Sequence, residues 1–264
     1  MKKQILMKQT TNQKPTKFCI LTRQRSGSTW LRTLLGSHSE IKSLGETFLA
    51  NKPNRRWQKH LIMPFYQFQE STSLKRPWVV FKYLDTLNDY PKEYKAVGYK
   101  LMFNTLMETP EIFLKMIASQ FKIIHLVRNN YLDIIISREN AWGKSNNRVQ
   151  HTNIDVKLKP IYLDTTTLLK EIKRLETRIR KHRLFLSMMP ISTLQVEYEE
   201  LCTNTDAVLS SIVNFLGLSS SEITYKSNLK KINKGKYSEK IANYKEVENL
   251  LSNTKYENLL IESE

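Results

Sequence analysis

Four short apolar runs, KFCILT (17–22), AVGYKLMF (96–103), FKIIHLV (121–127) and STLQVEY (192–198), recur along the chain between segments of helical spacing. KFCILT is brief, apolar and holds a β-branched residue, which predicts a strand buried on both faces. The other three read as further strands. Between them lie helical patterns. TWLRTLL (29–35) stops at Gly36, and TPEIFLKMIASQ opens with Thr109 as N-cap, Pro110 in the first turn and Glu111 behind it. NYLDIIISRENAW (130–142) passes from strand to helix. Residues 163–187 carry apolar side chains at 168, 169, 172, 175, 179, 184 and 186, the stripe of a long amphipathic helix. DAVLSSIVNFLGL closes at Gly217, and YKEVENLL reads as helix near the end. Strands alternating with helices predict an α/β fold: a P-loop-like three-layer arrangement with a central, mainly parallel sheet flanked by helices. The expected organisation is a loose lead-in over 1–16 and one domain over 17–264. Residues 51–76 read as irregular helix and loop, and the polar, basic stretch 143–156 as a loop near a substrate.

Charge narrows the partners. The 264 residues hold 42 Lys+Arg against 25 Asp+Glu, a net charge of +17. Such a surplus suits a polyanionic ligand, a nucleic acid or an anionic membrane surface, and says nothing about fold. Cys19 and Cys202 form neither a disulfide framework nor a zinc motif. No stretch approaches about 18 consecutive apolar residues, the length of a membrane span. The start MKKQILMKQT has too short an apolar run for a signal peptide. The expectation is a soluble cytoplasmic protein.

Between the first strand and the first helix stands TRQRSGSTW (22–30). A strand–loop–helix turn presents unpaired N–H groups at the helix N-terminus, where they and the helix dipole favour an anion. Gly27 allows close backbone approach. Ser26, Ser28 and Thr29 add hydroxyls, and Arg25 adds a permanent charge with a planar fork suited to phosphate or sulfate. The Walker A pattern GxxxxGK[ST] is absent, since no lysine follows Gly27. The alternative is an ordinary turn with solvated arginines.

TRQRSGSTWL resembles the 5′-phosphosulfate loop of the sulfotransferases that use 3′-phosphoadenosine 5′-phosphosulfate (PAPS). It is most similar to the bacterial carbohydrate and glycolipid branch, with the nodulation-factor and trehalose sulfotransferases. HSEIKSLGETF, IIHLVRNNYLDIIISRENA, VEYEELCTN and LKKINKGKYSEKIANYKEV follow in the same order, so the likeness spans roughly residues 17 to 258. The resemblance implies that Arg25 meets the transferring sulfuryl and its bridging oxygen. It implies that the N–H groups of Ser26 to Trp30, with the Ser28 and Thr29 hydroxyls, hold the 5′-phosphate, and that Arg128 and Ser137 hold the 3′-phosphate. The Arg128–Ser137 step is nine positions, where the cytosolic enzymes use eight. Tyr198 aligns with a tyrosine near the adenine; its other reading is a core tyrosine at a strand end. Lys231 falls in the basic segment that covers the 3′-phosphate, although the RKG triplet is missing.

Transfer to an acceptor hydroxyl needs a base within hydrogen-bond reach. Glu46 in LGETF resembles the glutamate with this role in the trehalose-type enzymes; its other reading is a salt-bridged or surface glutamate. Among the histidines, His38 is held in reserve as a helix-end residue, His125 reads as core, and His60, His151 and His182 as exposed. No acidic cluster suits a metal. The implied partners are PAPS, adenosine 3′,5′-bisphosphate and a carbohydrate or glycolipid hydroxyl, with peripheral contact to an anionic membrane compatible with the charge. A P-loop kinase-like phosphotransferase and a basic nucleic-acid binder are the rival readings. The sequence lacks the lysine–Ser/Thr pair of the first and any recognised module of the second, so no specific nucleic acid is expected.

Overall fold

The computed structural model describes residues 14–48, 63–88, 93–142, 158–219, 225, 227 and 235–261. Most of the expected lead-in, the 143–156 loop, His60, His151 and Lys231 lie outside these residues. In chain order the elements are β1 (Thr16–Thr22), α1 (Ser28–Leu35), β2 (Ile41–Glu46), α2 (Phe65–Glu70), α3 (Trp78–Asn88), β3 (Ala96–Met102), α4 (Phe103–Glu108), α5 (Glu111–Ala118) and β4 (Lys122–Val127). There follow α6 (Tyr131–Trp142), α7 (Thr165–Ser187), β5 (Thr193–Glu197), α8 (Tyr198–Thr203), α9 (Thr205–Leu216), α10 (Tyr237–Lys240) and α11 (Tyr244–Leu251).

The strands form one parallel sheet in the order β2-β3-β1-β4-β5. Alternate residues of β1 serve opposite cores. Phe18 and Ile20 pack with Leu31, Leu34 and Leu35 of α1 and with Leu209, Ile212 and Val213 of α9. Cys19 and Leu21 face Tyr99, Val80 and Tyr83 of α3, and Ile112 and Met116 of α5. Each fully buried aliphatic or aromatic side chain contributes roughly 1.5–3 kcal/mol by leaving water. A third apolar cluster joins α6, α7 and α11 through Leu132, Ile172 and Leu251. Among the described residues no helix is long and apolar enough to cross a membrane.

Expected elements shift in detail. The helix after Thr109 begins at Glu111 with Pro110 as its N-cap, and the N–H of Ile112 donates to the Thr109 carbonyl at 3.1 Å. Thr109 therefore starts a tighter opening turn and is not a side-chain cap. The strand expected over 192–198 stops at Glu197, and Tyr198 opens α8. The strand expected over 96–103 ends at Met102, Phe103 opens α4, and β2, α3 and α10 are additional.

The strand order fixes where a ligand can sit. From β1 the chain crosses to β2 on one side; from β4 it crosses to β5 on the other. The carboxyl ends of neighbouring β1 and β4 thus flank a topological switch point, the crevice where open α/β sheets bind ligands.

Candidate functional site

The hydroxyl of Thr22, the last residue of β1, donates to the Leu126 carbonyl at 2.9 Å and ties the ends of β1 and β4. The chain then turns with Arg25 and Gly27 both left-handed, at φ 67° and 79°. For arginine this conformation costs about 1–2 kcal/mol, so the surroundings must hold it. At Gly27 a Cβ would lie 2.3 Å from the Tyr198 ring, so only glycine fits between ring and turn. Ser26 and Ser28 are buried on either side. The Gly27 carbonyl accepts from the N–H groups of Trp30 and Leu31 at 3.0 and 3.1 Å and starts α1. The N–H groups of Gly27 and Ser28 have no backbone acceptor among the described residues. Unpaired donors at a helix start, beside left-handed turn residues, make an anion-binding concavity.

Arg128 follows β4 and is buried. One amino group donates to Asp133 Oδ2 at 2.6 Å and the other to the Arg25 carbonyl at 3.3 Å. Its guanidinium lies 4.5 Å from the Tyr198 ring centroid, and its Nε is buried without a hydrogen-bond partner among the described residues. Burial pulls the Arg128 pKa down, but Asp133, Tyr198 and Glu199 together outweigh this and leave it above the ordinary arginine value. Arg25 is shifted the other way, first by burial and then by the charge of Arg128. Arg25 Nε donates to Ser137 Oγ at 2.9 Å, and its guanidinium lies 5.4 Å from the Trp142 ring centroid.

Local chemistry fixes the second turn. The Glu199 carboxylate accepts from the N–H groups of Asn129 and Asn130 at 3.0 and 2.9 Å. Asn130 Oδ1 accepts from the Asp133 N–H at 3.0 Å in the manner of an N-cap. Tyr237 donates to the other Asp133 oxygen at 3.3 Å. Asp133 is thereby aimed at Arg128 from two sides.

The structure brings together Arg25, Ser26, Gly27, Ser28, Thr29, Trp30, Arg128, Ser137 and Tyr198. Trp30 meets Tyr198 edge-on at 6.1 Å between ring centroids. Glu46 stands apart at the end of β2, separated from β1 by β3, and its carboxylate pairs with the buried Lys100 at 3.1 Å. Three β2 residues after Ser43 span two of β3, because Ser43 faces Gly98 and Glu46 faces Lys100. That extra residue flips the side-chain parity and puts Glu46 on the α1 face of the sheet, the face of Ile20 opposite Lys100.

His38 is buried, and its Nδ1 accepts from the Glu40 N–H at 3.1 Å, a turn-holding role. His125 is core. His182 is a correction: its ring stacks on Phe103 at 3.6 Å, because α7 lies across the carboxyl edge of the sheet. Sequence reasoning missed Asp133, Glu199 and Lys100. A lysine inside an otherwise apolar strand, and an aspartate five residues after Arg128, were the available signals.

Two guanidiniums, a set of unpaired N–H groups and small hydroxyls thus converge at one crevice. Such a site suits a ligand with two separate anionic groups. Among the described residues no group of His, Cys, Asp or Glu is arranged to hold a metal ion.

Several solved structures are similar to this chain. A sulfotransferase domain from the curacin biosynthetic pathway is 20% identical with a TM-score of 0.45, covering 93% of this chain and 89% of its own. A sulfotransferase from Alicyclobacillus acidocaldarius is 12% identical with a TM-score of 0.48, covering 84% and 87%. The sulfotransferase domain of the Synechococcus PCC 7002 olefin synthase is 21% identical with a TM-score of 0.42, covering 82% and 78%. No curated protein matches the chain. The profile of the sulfotransferase family matches residues 18–222, most of the chain including both arginine-bearing turns, and the protein belongs to that family.

Proposed function

We propose that the protein transfers a sulfuryl group from PAPS to a hydroxyl of a carbohydrate or glycolipid acceptor by in-line displacement. The observation that carries this reading is the convergence of Arg25 and Arg128 at the ends of adjacent strands β1 and β4, in a chain of the sulfotransferase family. PAPS supplies an activated sulfuryl on its 5′-phosphate and a second anion at its 3′-phosphate. The cradle fits such a group in two respects: Arg128 Nε is buried and uncommitted, and the Gly27 turn has room for backbone contact only.

In this reading Arg25 holds the sulfuryl and its bridging oxygen and neutralises charge that builds on the departing phosphate. Loss of such a donor raises a barrier by about 2.7–4 kcal/mol. The N–H groups from Ser26 to Trp30, with the Ser28 and Thr29 hydroxyls, hold the 5′-phosphate. Arg128 and Ser137 hold the 3′-phosphate, Tyr198 borders the adenine, and Lys231 covers the nucleotide. Glu46 takes the acceptor proton, and the Lys100 ammonium 3.1 Å away holds its carboxylate in place. A terminal sulfuryl carries less charge than a terminal phosphoryl, so fixed cations meet the need and no metal is invoked. The carbohydrate or glycolipid acceptor follows from the likeness to the nodulation-factor and trehalose enzymes. In this reading the protein works in the cytoplasm, and its net charge of +17 suits peripheral contact with an anionic membrane.

The test is a thermal-shift titration with adenosine 3′,5′-bisphosphate. A saturable rise is expected, worth about 2.7 kcal/mol at one hundred times Kd. Adenosine 5′-monophosphate, lacking the 3′-phosphate, should give a much weaker response. Equal responses would remove Arg128 from the donor site, and no response would remove the donor reading.

A further inference from the structure

Helix α7 carries seven lysines and arginines against two glutamates. Neither glutamate forms a salt bridge with Arg174 or Arg178: Glu171 pairs with Arg138, and Glu176 with Lys255 and Tyr256. Positions 174, 178 and 182 are spaced by four and share one face. That face crosses the carboxyl edge of the sheet. His182 stacks on Phe103, the residue after β3, while Arg183 donates to Asn129 Oδ1 at 2.9 Å just beyond β4. β1 lies between those two strands, and Arg23 is the first residue after it. Arg23 therefore meets α7 from below, and its pKa is lowered by burial and then by the charges of Arg178 and Arg174.

Arg23 bears the cost of desolvation, and the half-buried Arg178 and exposed Arg174 add repulsion. Elsewhere Arg76, Arg128, Arg138 and Arg183 each pair with a carboxylate. Among the described residues Arg23, Arg174 and Arg178 pair with none, and the neighbouring His182 keeps a buried Nδ1 without a partner. An oxyanion would offset these costs.

We propose that Arg23, Arg174 and Arg178 form a second anion site beside the donor cradle, which binds a carboxylate, sulfate or phosphate group of the acceptor. The acceptor is then itself acidic. This rests on the sulfuryl-transfer reading above. Only one residue, Gln24, separates Arg23 from Arg25, so an anion held there keeps the acceptor beside the reacting end of the donor.

The test uses the full chain, with and without saturating adenosine 3′,5′-bisphosphate. It is titrated calorimetrically with a tetrasaccharide of alternating glucuronate and N-acetylglucosamine, and with the same sugar after reduction of its carboxyls. The wild type should bind the acidic sugar saturably and the neutral one not at all. R174Q/R178Q should weaken the acidic sugar by at least about tenfold, while K170Q/K173Q, equal in charge change on the same helix, should stay within about twofold. Bisphosphate affinity should hold in both variants. Equal binding of the two sugars, no binding of the acidic one, or equal losses in both variants would overturn the proposal. A fall in bisphosphate affinity in R174Q/R178Q would overturn it too, by assigning the cluster to the donor. The bisphosphate titration of the wild type reads the donor proposal separately, since its failure leaves the sugar titrations without nucleotide still decisive for the cluster.

Discussion

Arg25 Nε donates to Ser137 Oγ at 2.9 Å, and so joins the turn after β1 to the helix after β4. The Arg25 backbone is left-handed, and its guanidinium lies beside the Trp142 ring. Replacement by alanine should lower sulfuryl transfer from labelled PAPS by about 10²–10³-fold with the fold intact. Arg25→Lys keeps the charge and loses the fork, and should recover only part of the rate. Unchanged turnover in Arg25→Ala would exclude it from the reacting centre.

Gly27 and Tyr198 form a single steric unit. Gly27→Ala should destabilise the protein by at least about 1 kcal/mol from the left-handed backbone alone and abolish the bisphosphate response, because the ring must move. Gly27→Ala/Tyr198→Ala restores the space and should regain stability without regaining tight binding. Urea unfolding and thermal-shift titration read the two effects independently.

The Arg128–Asp133 pair is buried on both sides. Asp133→Asn leaves the guanidinium uncompensated and should lower stability by about 3–5 kcal/mol. Bisphosphate should stabilise this variant by more than it stabilises the wild type, because the phosphate meets a charge no longer shared. An equal or smaller gain would show that Arg128 does not face the nucleotide.

Glu46 and Lys100 allow a structural role to be separated from a chemical one. Glu46→Gln should cut turnover by about 10²-fold or more with bisphosphate affinity unchanged, and should cost stability by stranding a buried lysine. Glu46→Gln/Lys100→Met should restore the stability and leave turnover low. Recovery of turnover in the double variant would pass the base role elsewhere, with His38 the next to test.

His125 predicts a pH effect on folding. Burial, followed by the charges of His182 and Arg183, lowers its pKa to about 3. A depressed histidine pKa means that the unfolded chain binds more protons below pH about 6.5, so this contribution is complete above that value and lost as pH falls toward 3. Between pH 7 and pH 5 the loss from this one residue should be about 2 kcal/mol. His125→Phe should flatten that part of the stability profile in urea titrations. A parallel profile would show that the imidazole is not the titrating group.

The cradle was legible because its signals are local: Gly27, the hydroxyls and Arg25 stand within one turn, and Arg128 directly follows an apolar run. β2 escaped because IKSLGE has one residue too many for its ladder, which breaks the period-two signal at the edge of the sheet. The His182 exposure was misjudged because α7 packs at a sheet edge, where the Phe103 ring covers this imidazole. The Glu46–Lys100 pair depends on register between strands far apart in sequence, which no single-segment pattern reports. The Arg23 cluster is of the same kind.

Thr22 faces both Met102 and Leu126 in unbroken ladders, so the turns bearing Arg25 and Arg128 leave the sheet side by side. Their spacing is set by the roughly 4.8 Å interval between hydrogen-bonded strands and not by side-chain packing. The interval between the two guanidinium-bearing turns is therefore insulated from changes in the surrounding segments.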